Sequence, residues 1–113
     1  VETQGQKALA ISCDVTNADS VSAMASKVIE KCGKIDIMVT GAGIAARHPA
    51  EEMPIDEFQK VMDANVKGTL LCCQAAGKDM IKRGEPGSII MMMNGLWAWS
   101  AWKIPLYKLT KWV

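Results

Sequence analysis

The chain alternates between short apolar runs and longer stretches in which apolar residues recur every three or four positions. The runs at residues 8–13, 35–39 and 89–93 predict three short, buried strands, because polar residues do not alternate regularly within them. The stretches at 21–32 and 58–81 predict helices with one apolar face. Strands of this kind, separated by helices, indicate an α/β fold with a doubly wound parallel sheet that is covered on both faces.

Local signals mark where the helices begin and end. Thr16 followed by Asp19 predicts a capping box at the start of the first helix, and Gly33 predicts its end. Pro54 suits the first turn of the second helix, which Gly84 ends. The elements therefore follow the order strand, helix, strand, helix, strand and the start of a further helix, which Pro105 opens.

Composition narrows the classes of function. The chain has 113 residues, of which 50% are hydrophobic and 22% charged, and its formal net charge is +1, as in a globular chain of one domain at most. The lack of a basic excess argues against electrostatically driven nucleic-acid binding, and no apolar run reaches the ~20 residues of a membrane span. Four cysteines without CxxC spacing, with His48 as the single histidine, argue against a zinc site. They predict reduced thiols in a cytoplasmic protein.

Candidate binding residues follow the first two predicted strands. Asp14 ends the first strand, and the glycine-containing segment 41–43 follows the second. Ligands of parallel sheets bind at the carboxyl ends of the strands. Asp14 is either an acid flanking a helix or a hydrogen-bond acceptor facing a nucleotide. The two glycines form either a simple turn or a point where the backbone approaches a ligand closely.

Two further motifs lie on predicted helices. Asn65 falls on the apolar stripe of the long helix, where a buried amide needs a partner. It is therefore a satisfied structural asparagine, a kink between two helices, or a group holding a water or a backbone carbonyl near a site. Tyr107 and Lys111 are spaced i, i+4 and share a helical face. An ammonium beside a phenol favours the phenolate, which suits general acid–base catalysis, although the bare pattern is also common by chance.

Five segments, taken in order, resemble the short-chain dehydrogenase/reductase family over residues 7–113. The resemblance implies a Rossmann-like doubly wound parallel sheet that lacks the N-terminal β-α-β unit and the C-terminal strands of the family. Residues 1–113 are then the central part of a single NAD(P)-binding domain, and the family's glycine-rich phosphate loop precedes them. The five segments are residues 14–15, 40–43, 65–68, 87–90 and 107–111.

The resemblance also implies a cofactor, NAD or NADP, and residues that bind it. Asp14 is expected to accept a hydrogen bond from the adenine amine, with the Val15 backbone beside it. Ala42 and Gly43 match the end of the family's Asn-Asn-Ala-Gly element, which lies against the cofactor, although Thr40 and Gly41 replace the two asparagines. Hydride transfer belongs to the nicotinamide.

The catalytic roles implied by the resemblance fall on four residues. Tyr107 is expected to exchange a proton with the oxygen of a carbonyl or alcohol substrate. Lys111 is expected to favour the tyrosinate and bind the nicotinamide ribose, and Asn65 to hold a proton-relay water. The family's catalytic serine lies thirteen positions before the tyrosine, and that position is Asn94, whose amide can donate to the substrate oxygen.

The substrate class rests on the loop at residues 43–49, which resembles that of gluconate 5-dehydrogenase-like members and related sugar-acid or polyol reductases. Arg47 in this loop either pairs with a substrate carboxylate or is solvated. A 3-oxoacyl-carrier reductase is an alternative. A non-catalytic remnant or interaction module is another, favoured by the missing serine and by the tryptophans near residue 100, which otherwise form a substrate wall. The resemblance implies a homo-oligomer at full length.

Overall fold

The structure, a computed structural model, describes residues 2–92 and contains two strands and three helices. The strands predicted near residues 35–39 and 89–93 are confirmed, and so are both predicted helices. Asn94, Tyr107 and Lys111 lie outside the described residues. The elements are α1 (Ala18–Cys32), β1 (Ile37–Thr40), α2 (Ile55–Met62), a π-helical turn (Asp63–Lys67), α3 (Gly68–Arg83) and β2 (Ser88–Met91), with short 3-10 turns at Glu2–Gln4 and Ala50–Glu52.

The two strands pair in parallel, with Ile37 opposite Ser88 and Thr40 opposite Met91. The helices that connect them cover one face of this sheet. Thr40 on β1 is buried towards the helices, whereas Ile37 and Val39 are 61% and 54% exposed on the other face. The prediction of a sheet covered on both faces is therefore met on one face only within residues 2–92. A crossover between two parallel strands places its helix on a single side.

The strand predicted at residues 8–13 is not formed. This segment has no strand assignment, and Leu9 within it is 44% exposed. A β-strand needs a neighbour to bond its backbone groups, and none of the described strands pairs with this one. The apolar runs therefore predicted the positions of two strands correctly, but the predicted burial is wrong for β2, whose residues are all exposed within residues 2–92. The run at residues 8–13 forms no strand, and none of the described strands pairs with it.

The first helix is capped by Asn17 and not by Thr16. The Oδ1 atom of Asn17 accepts hydrogen bonds from the backbone N–H groups of Asp19, at 2.9 Å, and Ser20, at 3.1 Å. Thr16 is not free for this role, because its own N–H and hydroxyl both bind Asp14. Gly33 ends α1 at a φ of 88°, a left-handed conformation that favours glycine.

The long apolar stripe folds as one nearly continuous rod, made of α2, the π turn and α3. Asn65 lies in the π turn that joins α2 to α3, and a kink at this position stays a prediction. α3 packs on α1 and on β1 around a core that contains Ala25, Ile35, Ala76 and Met80. None of the helices within residues 2–92 has the length and apolar character needed to cross a membrane.

Two charged side chains of α3 bind the backbone just before β1. Asp79 is buried, and its Oδ2 atom accepts from the Ile35 N–H and from Nε of Arg83, both at 3.0 Å. Arg83 donates from Nη2 to the Ile35 carbonyl at 2.9 Å and also contacts Glu85. Both backbone groups of Ile35 are thus bonded to α3. The Ile35 N–H foremost, helped by Arg83, holds the pKa of Asp79 below its usual value.

Replacing Asp79 by asparagine is expected to lower the urea midpoint of unfolding at neutral pH, because the Arg83 charge loses its buried partner. A carboxylate with a depressed native pKa contributes stability above its unfolded pKa, about 3.9, and loses it as pH falls through the native value. The difference between wild type and Asp79→Asn should therefore shrink below about pH 4. Asp36→Asn, at an exposed bridge to Lys34, is the control and should change the midpoint little. An equal effect of both variants at every pH would contradict this account.

Candidate functional site

A cavity of about 430 Å³ opens at the carboxyl end of β1. It lies between the segment that precedes α1, the loop that follows β1, and the junction of α2 with the π turn. Asp14 and Val15 line it from one side, and Ala42 and Gly43 line it from the other. The structure therefore brings together four of the five residues that the sequence predicts to bind the cofactor, and the fifth, Lys111, lies outside the described residues.

Asp14 is held by hydrogen bonds on three of its groups. Its N–H donates to Oγ of Ser20 at 2.9 Å, and its carbonyl accepts from the Asn17 N–H at 3.2 Å. Its Oδ1 accepts from the Thr16 N–H at 2.9 Å and from the Thr16 hydroxyl at 2.8 Å. The Thr16 bonds, with a smaller contribution from Lys67, lower the pKa of Asp14. The carboxylate is therefore ionised and acts only as an acceptor at neutral pH.

Asn65 fixes the loop that follows β1. Its side chain is almost fully buried, with 2% of the residue exposed. Its Oδ1 accepts from the Ile44 N–H at 2.8 Å, and its Nδ2 donates to the Ile44 carbonyl at 3.0 Å. Asn65 is therefore a satisfied structural asparagine and also holds a backbone carbonyl beside the cavity. The proton-relay water remains a prediction.

Gly68 allows Val15, on one side of the cavity, to approach the helical rod closely. A Cβ atom at this position would lie 2.8 Å from Cγ2 of Val15 and 3.1 Å from the Val15 carbonyl oxygen. Sequence reasoning recognised Gly68 only as part of a motif and missed this contact. A signal was present, because glycine inside a helix is unfavourable by about 1 kcal/mol and usually has a packing reason.

The loop after β1 is attached to α2 on both sides of Arg47. Ala46 is buried against Val61, and Nε2 of His48 lies 3.1 Å from Oε2 of Glu57. Arg47 itself is exposed, and its guanidinium has no hydrogen-bond partner within residues 2–92. Anchors on each side thus limit where this exposed cation can lie.

Thr40 marks the departure from the family's two asparagines. It ends β1 and is buried, yet its hydroxyl has no hydrogen-bond partner among the described residues. Its carbonyl accepts from the Met92 N–H at 3.1 Å, which extends the ladder beyond β2. The threonine therefore fits the sheet through its backbone, while its hydroxyl gains nothing from the described surroundings.

Comparison with known proteins agrees with this arrangement. The family model of the short chain dehydrogenases matches residues 1–112. A match of this extent shows that the chain belongs to the short-chain dehydrogenase family. The resemblance inferred from five motifs is therefore confirmed.

Several curated relatives are similar to the chain over most of its length. D-threitol dehydrogenase of Mycolicibacterium smegmatis is 43% identical over 82 residues, covering 73% of this chain and 31% of the relative. L-rhamnose 1-dehydrogenase (NAD(P)(+)) of a Sphingomonas species is 34% identical over 94 residues, covering 83% and 37%. The 2-dehydro-3-deoxy-D-gluconate 5-dehydrogenase of Escherichia coli is 30% identical over 111 residues, covering 98% and 44%. The chain thus spans less than half the length of each.

A solved structure supports the fold. A short-chain type dehydrogenase/reductase from Mycobacterium marinum superposes with a TM-score of 0.91 at 36% sequence identity, covering 97% of this chain and 45% of that structure. The α/β class predicted from the order of elements and the Rossmann-like fold implied by the resemblance are both confirmed, and the two-stranded sheet of residues 2–92 is a part of such a domain.

Two glycines of α3 offer a matched test of the close approach to Val15. Gly68→Ala is expected to lower the free energy of unfolding by about 1–3 kcal/mol, because overpacking displaces Val15. A Cβ atom at Gly77 would meet no other part of the chain within 4 Å among residues 2–92, apart from the backbone of its own helix, so Gly77→Ala should raise stability by up to about 1 kcal/mol through helix propensity. Urea unfolding followed by circular dichroism measures both. Equal changes in the two variants would contradict the contact.

Proposed function

We propose that the protein is an NAD(P)-dependent oxidoreductase that transfers hydride between a nicotinamide cofactor and a carbonyl or alcohol substrate. The observation that carries the proposal is the clustering of Asp14, Val15, Ala42 and Gly43 around one cavity at the carboxyl end of β1. Membership in the short-chain dehydrogenase family supports the same activity. Residues 1–113 are taken as the central part of a single cofactor-binding domain.

The cavity fits the adenosine half of the cofactor in size and chemistry. Its volume of about 430 Å³ is in the range of small-molecule sites. Asp14 offers a carboxylate oxygen to the adenine amine, and the Val15 N–H, which has no acceptor within residues 2–92, suits an unprotonated ring nitrogen. Ala42 has only a methyl side chain and Gly43 has none, so the loop after β1 can lie against the nucleoside.

The proposed catalytic roles rest on the match to the family motif. Tyr107 exchanges a proton with the substrate oxygen, and Lys111 stabilises the tyrosinate and binds the nicotinamide ribose. Asn94 donates from its amide to the substrate oxygen in place of the family's serine. Asn65 holds the water that relays the proton. The bound nicotinamide supplies or accepts the hydride.

For the substrate we propose a sugar acid or polyol. The relatives named for rhamnose, threitol and a deoxygluconate favour this class over a 3-oxoacyl thioester. Arg47 adds a feature that suits an acid, since an exposed guanidinium held between two anchors can bind a carboxylate through two parallel hydrogen bonds. The loop at residues 43–49 thus supplies the carboxylate-binding group.

Self-association in the cytoplasm belongs to the same proposal. Leu70 and Ile81 on α3 are 54% and 83% exposed. They are eleven residues apart, close to three full turns, so both lie on one side of the helix. Two exposed apolar side chains on one side of a long helix suit an interface between copies of the chain.

Removing the proton donor tests the proposed function. Tyr107→Phe is expected to lower kcat by about 10²–10⁴-fold, because general acid–base catalysis contributes about that much, while the Kd for the reduced cofactor stays within about threefold. Lys111→Ala is the comparison variant and should weaken both turnover and cofactor binding. Steady-state rates and cofactor fluorescence titration separate these effects. Retained activity in Tyr107→Phe would refute the catalytic assignment.

Arg47→Ala tests the substrate class with two matched substrates, an aldonic acid and the alditol of the same carbon number. We expect kcat/KM for the acid to fall by about 10–100-fold, the value of a hydrogen bond to a charged group, and kcat/KM for the alditol to change by less than about threefold. Arg47→Lys keeps the charge without the planar fork and should lie between. Equal losses on both substrates would contradict carboxylate recognition by Arg47.

A further inference from the structure

We propose that Thr16 is a positioning residue that orients the Asp14 carboxylate and thereby sets the preference of the site for adenine over hypoxanthine. The inference rests on the proposed cofactor function and extends it to a residue outside the binding and catalytic set. Thr16 is two positions from Asp14 and lines the same cavity.

The geometry of the carboxylate carries the inference. Both bonds from Thr16 reach the same oxygen, Oδ1 of Asp14, at 2.9 Å from the backbone N–H and 2.8 Å from the hydroxyl. Oδ1 is therefore occupied, and Oδ2 has no protein donor among residues 2–92. One carboxylate oxygen anchors the group, and the other remains available to a ligand.

The backbone of Asp14 is also fixed by hydrogen bonds, so the carboxylate has few other orientations. The Asp14 N–H and carbonyl are bonded to Ser20 and Asn17, which belong to the first turn of α1 and its cap. Val15 packs on Gly68 from the other side. The χ1 and χ2 torsions of Asp14 are the remaining freedom, and the Thr16 hydroxyl restricts them.

An ionised carboxylate in a fixed direction discriminates between purines. Asp14 is an acceptor only, because the Thr16 bonds and the Lys67 charge lower its pKa. Adenine presents an amine donor and an unprotonated ring nitrogen on its Watson–Crick edge, whereas hypoxanthine presents a carbonyl oxygen and a ring N–H. With hypoxanthine, the carbonyl oxygen of the base would face the Asp14 carboxylate, so two acceptors would meet. The ring N–H would face the Val15 N–H, so two donors would meet.

The test uses adenosine 5′-monophosphate and inosine 5′-monophosphate, titrated into the purified chain and followed by amide chemical shifts, which detect weak binding. We expect wild type to prefer the adenine nucleotide by about tenfold or more, since a mismatched charged hydrogen bond costs at least that factor. Thr16→Val, which is nearly isosteric, should reduce the preference to less than about threefold. Thr16→Ser keeps the hydroxyl and should retain it.

The outcomes separate this inference from the proposed function. A preference that survives in Thr16→Val but is lost in Asp14→Ala overturns the role of Thr16 and leaves cofactor recognition by Asp14 intact. Equal binding of both nucleotides to wild type, or binding of neither, overturns adenine recognition itself and the inference with it. A loss of folding would weaken the binding of both nucleotides by the same factor. The ratio of the two dissociation constants therefore distinguishes a positioning role of Thr16 from an effect on stability.

Discussion

The pairing of Asn65 with both backbone groups of Ile44 is the interaction on which the candidate site depends. The amide lies in a π turn and is almost fully buried, so its two hydrogen bonds meet little competition from water. They fix the loop after β1 at the position where Ala42 and Gly43 line the cavity. A hydrophobic side chain at residue 65 would satisfy the apolar stripe of the helix but would leave the Ile44 groups without these partners.

The same principle operates at the other end of β1. There Asp79 accepts from the Ile35 N–H and Arg83 donates to the Ile35 carbonyl. Side chains from the one helical rod, formed by α2, the π turn and α3, thus bind both backbone groups of one residue before the strand and one residue after it. The rod is therefore attached to the chain before and after β1, and it contributes Lys60, Asp63 and Ala64 to the lining of the cavity.

The opposite wall of the cavity is positioned by a close van der Waals contact. Gly68 begins α3 directly after the π turn, and its missing side chain lets Val15 lie against the helix. Asp14 and Thr16 flank Val15, so the position of the carboxylate follows from a glycine more than fifty residues away in the chain. Both walls of the cavity are therefore positioned by contacts with the same short segment, residues 65–68. This explains why a motif containing a polar residue and a glycine interrupts an otherwise apolar helical face.

Local pattern alone determined much of the fold, because periodicity and turn residues report which positions prefer burial and where helices stop. β1, β2, both helices and the end of α1 at Gly33 were predictable for this reason, and the order of motifs identified the family. Tertiary structure decided which groups pair. Asn17 and not Thr16 caps α1, because the Thr16 hydroxyl is bound to Asp14. Residues 8–13 form no strand, because none of the described strands pairs with them. Partner choice depends on the distance between groups remote in sequence, and neither composition nor periodicity carries that information.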